Sequence, residues 1–423
     1  MVKSLIISNL KCQNQSTNSE HHISVLNQYN EECREALDCT ANLGKCFDKV
    51  FMDTMQLYMS IPDRINFLQM GRYGKFSEQT YRNNFEKAGF DWFAFNAHLA
   101  SKILSGKRKA IAIDPSHISK SGHKTPWTGY FWSGLAGAMK RGLEMLGIGL
   151  VDADDKDCVA LEAVQTPDAV TLDNMDKNLV EWYVAVLLSK KTELQNLTKV
   201  IIADAFFSKG TFVTPMLEAG FTVISRLRND SVLYYPTTKG RTGKRGRPSV
   251  YDGKIDINSL DLSRCEQLDI DKGRLYSLKA YSRPLKRTVK HAVWYPGDGS
   301  AKWQLYFSTD ADMSGKDVID IYRTRFQIEF YFRSGKQHTG LTQCQSTSIN
   351  KLGFNFNASL ASINLAKAAS KKLDMPFSIS TCKSVIHNAY MLERFICVSG
   401  MDPDPHLIDK LVKELVLFTA RVA

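Results

Sequence analysis

Two short apolar segments constrain the fold of this chain more than any other feature. Residues 109–114 and 199–204 each begin with a lysine, continue through four apolar residues and end on an aspartate, which is Asp114 in one and Asp204 in the other. Short apolar runs of this kind are typical of strands that are buried inside a sheet. Because ligands gather at strand ends in sheets whose faces are covered by helices, we expect the two aspartates to lie close together.

The periodic segments around these two strands predict a mixed sheet. Apolar and alternating runs predict further strands at residues 142–152, 158–166 and 221–228. Amphipathic periodicity predicts helices at residues 174–196 and 209–219. The resulting order β-β-β-α-β-α-β predicts an α/β fold in which helices cover the faces of a mixed central sheet.

Composition and periodicity divide the chain into five regions. We expect a helical N-terminal region, a first part of the core, an inserted basic and β-rich subdomain, a second part of the core with a glutamate-bearing helix, and a helical C-terminal region: residues 1–105, 106–228, 229–300, 301–345 and 346–423. The longest C-terminal helix is predicted at residues 349–372. The N-terminal region fits a small DNA-binding unit, or alternatively a helical appendage that only packs against the core.

A helical segment in the second part of the core carries an unusual arrangement of charge. At about 100° per residue, residues 317–336 gather one tyrosine, one glutamate and three cations on or beside one face: Tyr322, Glu329, Arg325, Arg333 and Lys336. Apolar residues flank this stripe on both sides, and Phe326 and Phe330 lie on one of the two sides. A solvated face would instead lie opposite a single apolar stripe. Half-buried charge is costly unless it has partners of opposite sign, so the stripe suits a metal ion beside a phosphodiester.

Three carboxylates are candidates for a metal site. Residues 303–310 are predicted to resume the core as a strand, and Glu329 lies on the helix after it, where it can approach the same sheet edge as Asp114 and Asp204. Carboxylates without a suitable cysteine or histidine favour a hard divalent cation, Mg²⁺ or Mn²⁺. Two such ions about 3.5–4 Å apart can activate a water or a 3′-hydroxyl and stabilise the leaving oxygen of a phosphodiester. A single strand-end aspartate is usually structural, so the prediction depends on all three acids together with the cationic helix.

The charge of the chain favours a polyanionic partner. The net charge is +11 and the pI is about 9.1, and no basic amphipathic anchor is evident, so nucleic acid is favoured over a membrane. A basic protein without such a role is the alternative. No run of about 18 apolar residues occurs, so no transmembrane helix is expected. The nine cysteines form no Cys-x-x-Cys pair and are expected to be reduced thiols in a cytoplasmic protein.

The spacing of Tyr322, Arg325, Glu329 and Lys336 resembles the Tyr-Arg-Glu-Lys signature of bacterial insertion-sequence transposases with a DDE active site. The sequences after the first aspartate, around the second and before the helix are similar to the same family: residues 114–125, 203–205 and 308–310. The resemblance covers about residues 108–345, whereas the N- and C-terminal regions resemble no family that we would name.

This resemblance implies a fold, an activity and roles for the site residues. The family has a ribonuclease-H-like core with a β insertion before the glutamate helix, which agrees with the strand order above. Two ions of Mg²⁺ or Mn²⁺ would be held by the three acids: Asp114, Asp204 and Glu329. The phosphates that flank the scissile bond would be contacted by the rest of the signature: Tyr322, Arg325 and Lys336. The implied activity is hydrolytic nicking at the terminal inverted repeats of an insertion sequence, followed by attack of the freed 3′-hydroxyl on target DNA.

Cutting and joining two transposon ends requires that both be held together. We therefore expect a homodimer on double-stranded DNA, in the cytoplasm and associated with the nucleoid when it is bound. Two alternatives stay open: a metal-dependent nuclease of the same fold that cuts without joining, and a non-catalytic DNA-binding protein derived from a transposase.

Three residues that follow the first aspartate are further candidates for DNA contacts. Lys120 and Lys124 come soon enough after the first strand to face the same phosphates, although a solvated turn explains them equally well. Trp127 is a candidate for stacking on an unpaired base, with packing in the core as the alternative.

A basic segment of the predicted insertion, residues 243–248, contains the sequence Arg-Gly-Arg-Pro. This is the core of an AT-hook, in which extended arginines enter a narrow A·T minor groove. Arg245 and Arg247 are therefore candidate DNA-binding residues. The alternatives are a flexible loop that grips phosphates without reading the groove, and a merely solvated loop.

Overall fold

The computed structural model describes residues 25–40, 43–122, 124–237, 250–270, 273–297 and 303–400. The candidate residues Arg245 and Arg247 lie outside the described residues. The described part of the chain opens with helices, which confirms a helical N-terminal region: α1 (Val25–Asp38), α2 (Lys45–Ser60), α3 (Phe67–Tyr73), α4 (Glu78–Phe85) and α5 (Trp92–Ile103). Side chains cap three of these helices, because Asn66, Ser77 and Asp91 each accept a backbone N–H from the first turn.

The first part of the core is built from the strands β1 (Lys109–Ser119), β2 (Gly129–Ser133), β3 (Ala138–Asp152), β4 (Asp157–Gln165), β5 (Val200–Ile202) and β6 (Thr222–Arg226). β1 pairs in parallel with β5, and β5 pairs in parallel with β6, whereas β3 runs antiparallel to β1. On its other side β3 pairs antiparallel with β4 and, through its first residues, with β2. The order β4-β3-β1-β5-β6 confirms the mixed α/β sheet and is consistent with a ribonuclease-H-like fold.

The helices between these strands are α6 (Ala169–Asn174), α7 (Leu179–Ser189), α8 (Lys191–Leu197) and α9 (Gly210–Glu218). The prediction of one continuous helix over residues 174–196 is wrong, because Asn178 starts a new helix. Its side chain accepts the N–H groups of Val180 and Glu181, and the side chain of Glu181 accepts the N–H of Asn178 in return. The predicted helix over residues 209–219 is confirmed by α9.

The strands of the predicted insertion continue the core sheet. They are β7 (Leu233–Pro236), β8 (Tyr251–Lys254), β9 (Glu266–Ile270), β10 (Gly273–Ser282) and β11 (Arg287–Pro296), and they are followed by β12 (Gln304–Ser308). β12 pairs with β6 on one side and with β11 on the other, and β11 pairs with β10. Backbone hydrogen bonds therefore run from the core strands directly into the strands of the insertion.

The described chain ends with the helices α10 (Gly315–Arg323), α11 (Phe326–His338), α12 (Ile349–Lys372) and α13 (Ile379–Ser399). α12 has the predicted bounds, and most of its residues are buried. The side chain of its Asn357 hydrogen-bonds to both the N–H and the C=O of Ala163 on β4, and that of Asn364 does the same with Ala160. α12 thereby satisfies backbone groups along an edge of β4. No helix within the described ranges is long and apolar enough to cross a membrane.

The charged segment at residues 317–336 forms two helices instead of one. α10 ends at Arg323, α11 begins at Phe326, and the hydroxyl of Thr324 donates a 2.6 Å hydrogen bond to the carbonyl of Ile321. Across this junction, backbone N–H groups bond to carbonyls three residues back, which tightens the turn. A threonine hydroxyl competes with helix hydrogen bonds in this way, so the single continuous stripe predicted from helical periodicity is wrong in detail.

α11 packs closely on β3 at Gly147, which lies opposite Asp114 on β1. A Cβ atom at Gly147 would lie 2.3 Å from the ring of Phe332, a distance that would force the helix away from the sheet. We expect Gly147→Ala to lower the free energy of unfolding by about 1–3 kcal/mol through overpacking, measured by urea denaturation. The matched control is Gly353→Ala, where a Cβ meets no atom within 4 Å and alanine favours the helix. Equal stability of the two variants would contradict this contact.

Candidate active site

Asp114 lies in the middle of β1, just beyond the point at which β5 leaves that strand. β1 and β5 pair at Ile111 and Ala112, whereas the pairing of β1 with β3 continues to Ser119. The prediction that the first strand ends at Asp114 is therefore wrong, because β3 supplies partners beyond it and Pro115 does not interrupt them. On the β5 side, however, Asp114 stands at the end of the parallel ladder, where ligands gather in such sheets.

Asp204 follows β5 at the same end of this ladder. Its carboxylate accepts the N–H of Phe206 at 3.0 Å and caps a single 3₁₀ turn. Ser225 on β6 donates a hydrogen bond of 2.8 Å to the backbone carbonyl of Asp204. These contacts fix Asp204 at the strand end, close enough to Asp114 for its charge to act on the pKa of that carboxyl.

Arg325 joins two of the three predicted acids. Its Nη1 lies 3.1 Å from Oδ1 of Asp114, and its Nη2 lies 2.8 Å from Oε1 of Glu329. Residues four apart share one face of a helix, so the start of α11 carries Arg325 and Glu329 together. The side chain of Arg325 is 7% exposed and that of Glu329 is 41% exposed. A buried guanidinium therefore separates the strand carboxylate from a half-exposed helix carboxylate.

The electrostatics of this cluster favour additional positive charge. The pKa of Asp114 is raised to about 7, mainly by burial and also by the charges of Glu329 and Asp204, while Arg325 acts in the opposite direction. Burial likewise raises the pKa of Asp204, again against the effect of Arg325. A cation that approaches these carboxylates would favour their charged forms and relieve their mutual repulsion.

The donor set fits a hard divalent cation, but the side chains as they stand do not enclose one. Within the described ranges, no three histidine, cysteine, aspartate or glutamate side chains are placed to hold a single metal ion. Arg325 supplies the positive charge between Asp114 and Glu329, and its Nε is buried without a hydrogen-bond partner. Carboxylate oxygens are the ligands that Mg²⁺ and Mn²⁺ prefer. The metal site of the three acids thus stays a prediction, and it requires the contacts of Arg325 to change.

Tyr322 and Lys336 complete the predicted signature. Tyr322 is buried on α10, with its ring 4.9 Å from that of Tyr306, and burial raises its pKa. Lys336 on α11 donates from Nζ to Oγ of Ser116 at 3.0 Å and to the backbone carbonyl of the next residue at 2.9 Å. Burial lowers the pKa of Lys336, while the charge of Asp114 acts in the opposite direction. Arg325, just before α11, and Lys336, on α11, therefore both contact the same stretch of β1.

The candidates between β1 and β2 occupy different environments. Lys120 donates from Nζ to the backbone carbonyl of Cys344 at 2.7 Å, whereas Lys124 is exposed. Trp127 is half-buried and packs edge-on against Trp182, with ring centroids 6.3 Å apart. The proposed DNA contacts of these three residues stay predictions.

The exposure of three phenylalanines near the acids is a feature that the sequence analysis missed. Phe206 is 40% exposed, and Phe326 and Phe330 are each 47% exposed. A cation lies over each ring. The distances to the ring centroids are 3.9 Å for Lys209 over Phe206, 4.6 Å for Arg325 over Phe326 and 5.2 Å for Arg333 over Phe330. Phe326 and Phe330 were expected to flank the charged stripe, and cations of that stripe do lie over both rings, but the rings are half-exposed. The position of Phe206, two residues after a strand-end aspartate, was the available signal.

The comparisons with known proteins give one family. A family model described as DDE superfamily endonuclease matches residues 56–279, which is just over half of the chain. The match contains Asp114 and Asp204 but ends before α10 and α11, and so it does not contain Glu329. No curated protein matches the chain.

Proposed function

Because the chain belongs to the DDE superfamily of endonucleases, we propose that it is a transposase that cuts the terminal inverted repeats of an insertion sequence and joins the cut ends to target DNA. The family supports nucleic-acid cleavage; the recognition of terminal repeats and the joining step are the finer proposal. One observation carries it: Arg325 contacts Asp114 on β1 and Glu329 on α11. This bridge supports a role in the same site for a glutamate that lies outside the family match.

Asp114, Asp204 and Glu329 hold two divalent cations in this proposal, Mg²⁺ or Mn²⁺. Bound there, the ions would supply an activated water or 3′-hydroxyl and positive charge for the leaving oxygen of the phosphodiester. Glu329 can exchange Arg325 for a new partner without disturbing the core, because its side chain is 41% exposed. The two aspartates are held by strands and stay in place.

Arg325 and Lys336 bind and orient the scissile strand. The guanidinium of Arg325 offers parallel N–H donors. These match two phosphate oxygens once Asp114 and Glu329 hold cations instead of Arg325. Lys336 offers a point charge that the hydroxyl of Ser116 fixes beside β1. Both side chains are largely shielded from water, so their attraction to a phosphate is screened less than that of surface cations. Tyr322 supports the arginine from α10, with the arginine carbon Cζ 5.9 Å from its ring centroid.

Double-stranded DNA is the proposed partner of a homodimer, since joining two ends demands that both be held at once. The net charge of +11 supports neutralisation of many phosphates. Further DNA contacts are proposed for Arg333, Lys120, Lys124, Arg245 and Arg247, and base stacking is proposed for Trp127.

A duplex terminal-repeat end that is already nicked, with a free 3′-hydroxyl, tests the joining step. We expect Mg²⁺-dependent joining to a supercoiled plasmid, because the hydroxyl replaces water as the nucleophile at the same acids. The control is the same pre-nicked end with a 3′-dideoxy terminus, which should not be joined. Nicking is measured in parallel on an uncut duplex and should be normal.

The same experiment separates the alternatives. Cutting without joined product would favour a nuclease of the same fold over a transposase. No cutting with either Mg²⁺ or Mn²⁺ would favour a non-catalytic DNA-binding protein and end the proposal of an enzyme.

A further inference from the structure

The hairpin formed by β2 and the start of β3, residues 129–142, carries an exposed apolar patch. β2 lies at the end of the sheet order. Tyr130 is 70% exposed, Trp132 60%, Met139 55%, and Leu135 at the tip is fully exposed. Single exposed apolar residues are normal on a protein surface, but a contiguous patch of this kind marks a site of interaction.

The register of the hairpin places its aromatic residues on one face. Tyr130 lies opposite Arg141, and Trp132 lies opposite Met139. Directly opposed residues of an antiparallel pair point to the same side of the sheet, so these four side chains lie together. Phe131, between the two aromatic residues, points to the other side and is buried.

This aromatic face continues the face that carries the candidate acids. Side chains alternate along β3, and Gly147, six residues after Arg141, lies opposite Asp114. Arg141 and Asp114 therefore share one side of the sheet. At about 3.3 Å per residue, the hairpin patch begins about 20 Å from Asp114 along the strands.

Along the sequence, the hairpin and the residues before it carry positive charge only, although Asp168 packs against Gly129 at the start of the hairpin. Residues 115–143 contain no aspartate or glutamate and four cations: Lys120, Lys124, Lys140 and Arg141. A second copy of this chain docked through the same patch would bring the Arg141 residues of both copies into one symmetric interface, where like charges repel. A polyanion with apolar surfaces of its own fits the patch better.

We propose that the hairpin binds unpaired nucleotides of the DNA strand that leads away from the cleavage site. Tyr130 and Trp132 offer open ring faces on which bases stack. The bases of a duplex already stack on their neighbours, so an unpaired strand gains more from these rings than a duplex does. Arg141, which lies on the same face and whose guanidinium donates to the carbonyl of Ser121, attracts the adjacent phosphates. This inference rests on the proposed transposase function, since it assigns the strand to the same site.

Equilibrium binding in EDTA to two DNAs tests the hairpin proposal. One is a blunt terminal-repeat duplex, and the other is the same duplex with a single-stranded tail of about ten nucleotides. We expect the unmodified chain to prefer the tailed duplex. The double variant Tyr130→Ala, Trp132→Ala should bind the tailed duplex about tenfold more weakly or worse, and the blunt duplex nearly as before.

Two control variants separate stacking from simple exposure. Leu135→Ala removes an even more exposed apolar side chain that has no aromatic face, and it should keep the preference for the tail. Tyr130→Phe with Trp132→Phe keeps aromatic rings at both positions and should retain most of that preference. Thermal unfolding of each variant shows whether the protein remains folded.

Three results would overturn the hairpin proposal. The first is an unchanged affinity of the double alanine variant for the tailed duplex, and the second is an equal loss of its affinity for both DNAs. The third is a lower assembly mass of the double alanine variant in ultracentrifugation, with its preference for the tailed duplex intact. The last would identify a second copy of the chain as the occupant. Binding in EDTA does not depend on catalysis. A chain that cuts with Mg²⁺ but ignores the tail therefore loses only this inference, whereas one that prefers the tail and never cuts loses the transposase proposal.

Discussion

Replacing Glu329 by glutamine is expected to lower Mg²⁺-dependent cutting of terminal-repeat DNA by about a thousandfold or more, which corresponds to about 4 kcal/mol of transition-state stabilisation. Glutamine keeps the size of the side chain but removes the charge that would hold a cation beside the phosphodiester. Stability should change little. The side chain is 41% exposed, and an ion pair that is open to solvent contributes at most about 1 kcal/mol.

The readout for this prediction is the initial rate of nicking, with thermal unfolding as the test of folding. Asp320→Asn is the matched control, because Asp320 is a partly exposed acid on α10 that also pairs with a cation, Lys316. It should cut at the normal rate. Asp114→Asn and Asp204→Asn should lose cutting as Glu329→Gln does. Undiminished nicking by Glu329→Gln would remove the glutamate from the reaction and, with it, the proposed three-acid site.

The centres of the two strands that precede the aspartates could be predicted because their residues all meet the same environment. Residues 110–113 and 201–203 are fully buried inside a sheet covered on both faces, so they form short apolar runs without alternation. The end of β1 could not be predicted, since it depends on partners in β3 that are distant in sequence. β2 escaped detection for another reason: it exposes Tyr130 and Trp132 on one face and buries Phe131 on the other, which removes the usual polar alternation.

Contacts among some of the candidate site residues could be predicted, but the geometry of the site could not. The spacing of Arg325 and Glu329 indicated a shared helical face, and the structure joins them by an ion pair. The exposure of Phe326 could not be inferred from a continuous helix, because Phe326 begins a second helix after the break at Thr324. At that junction the hydroxyl of Thr324 bonds to the carbonyl of Ile321, a contact that competes with helix hydrogen bonds and leaves no mark in hydrophobic periodicity.

Arg325→Ala is expected to give the largest loss of stability among the site variants. The substitution leaves Asp114 largely buried without its cation, and at a pH well above the raised pKa of Asp114, breaking a buried ion pair by removing one partner costs about 3 kcal/mol or more. The half-exposed Glu329 adds little to this loss, since water can solvate it. Urea denaturation in EDTA measures the change. Arg333→Ala is the matched control, because Arg333 is an exposed cation on the same helix, and it should be nearly neutral.

The same variant should bind divalent cations more tightly in the absence of DNA, because Arg325 competes with them for Asp114 and Glu329. Mn²⁺ at a hundred times its Kd would restore about 2.7 kcal/mol to Arg325→Ala. The unmodified chain and Arg333→Ala should gain less at the same concentration. Adding Asp114→Asn to the Arg325→Ala variant should remove the gain. If Mn²⁺ stabilises Arg325→Ala no more than the unmodified chain, the guanidinium does not occupy a cation site, and Asp114 and Glu329 do not share a metal ion.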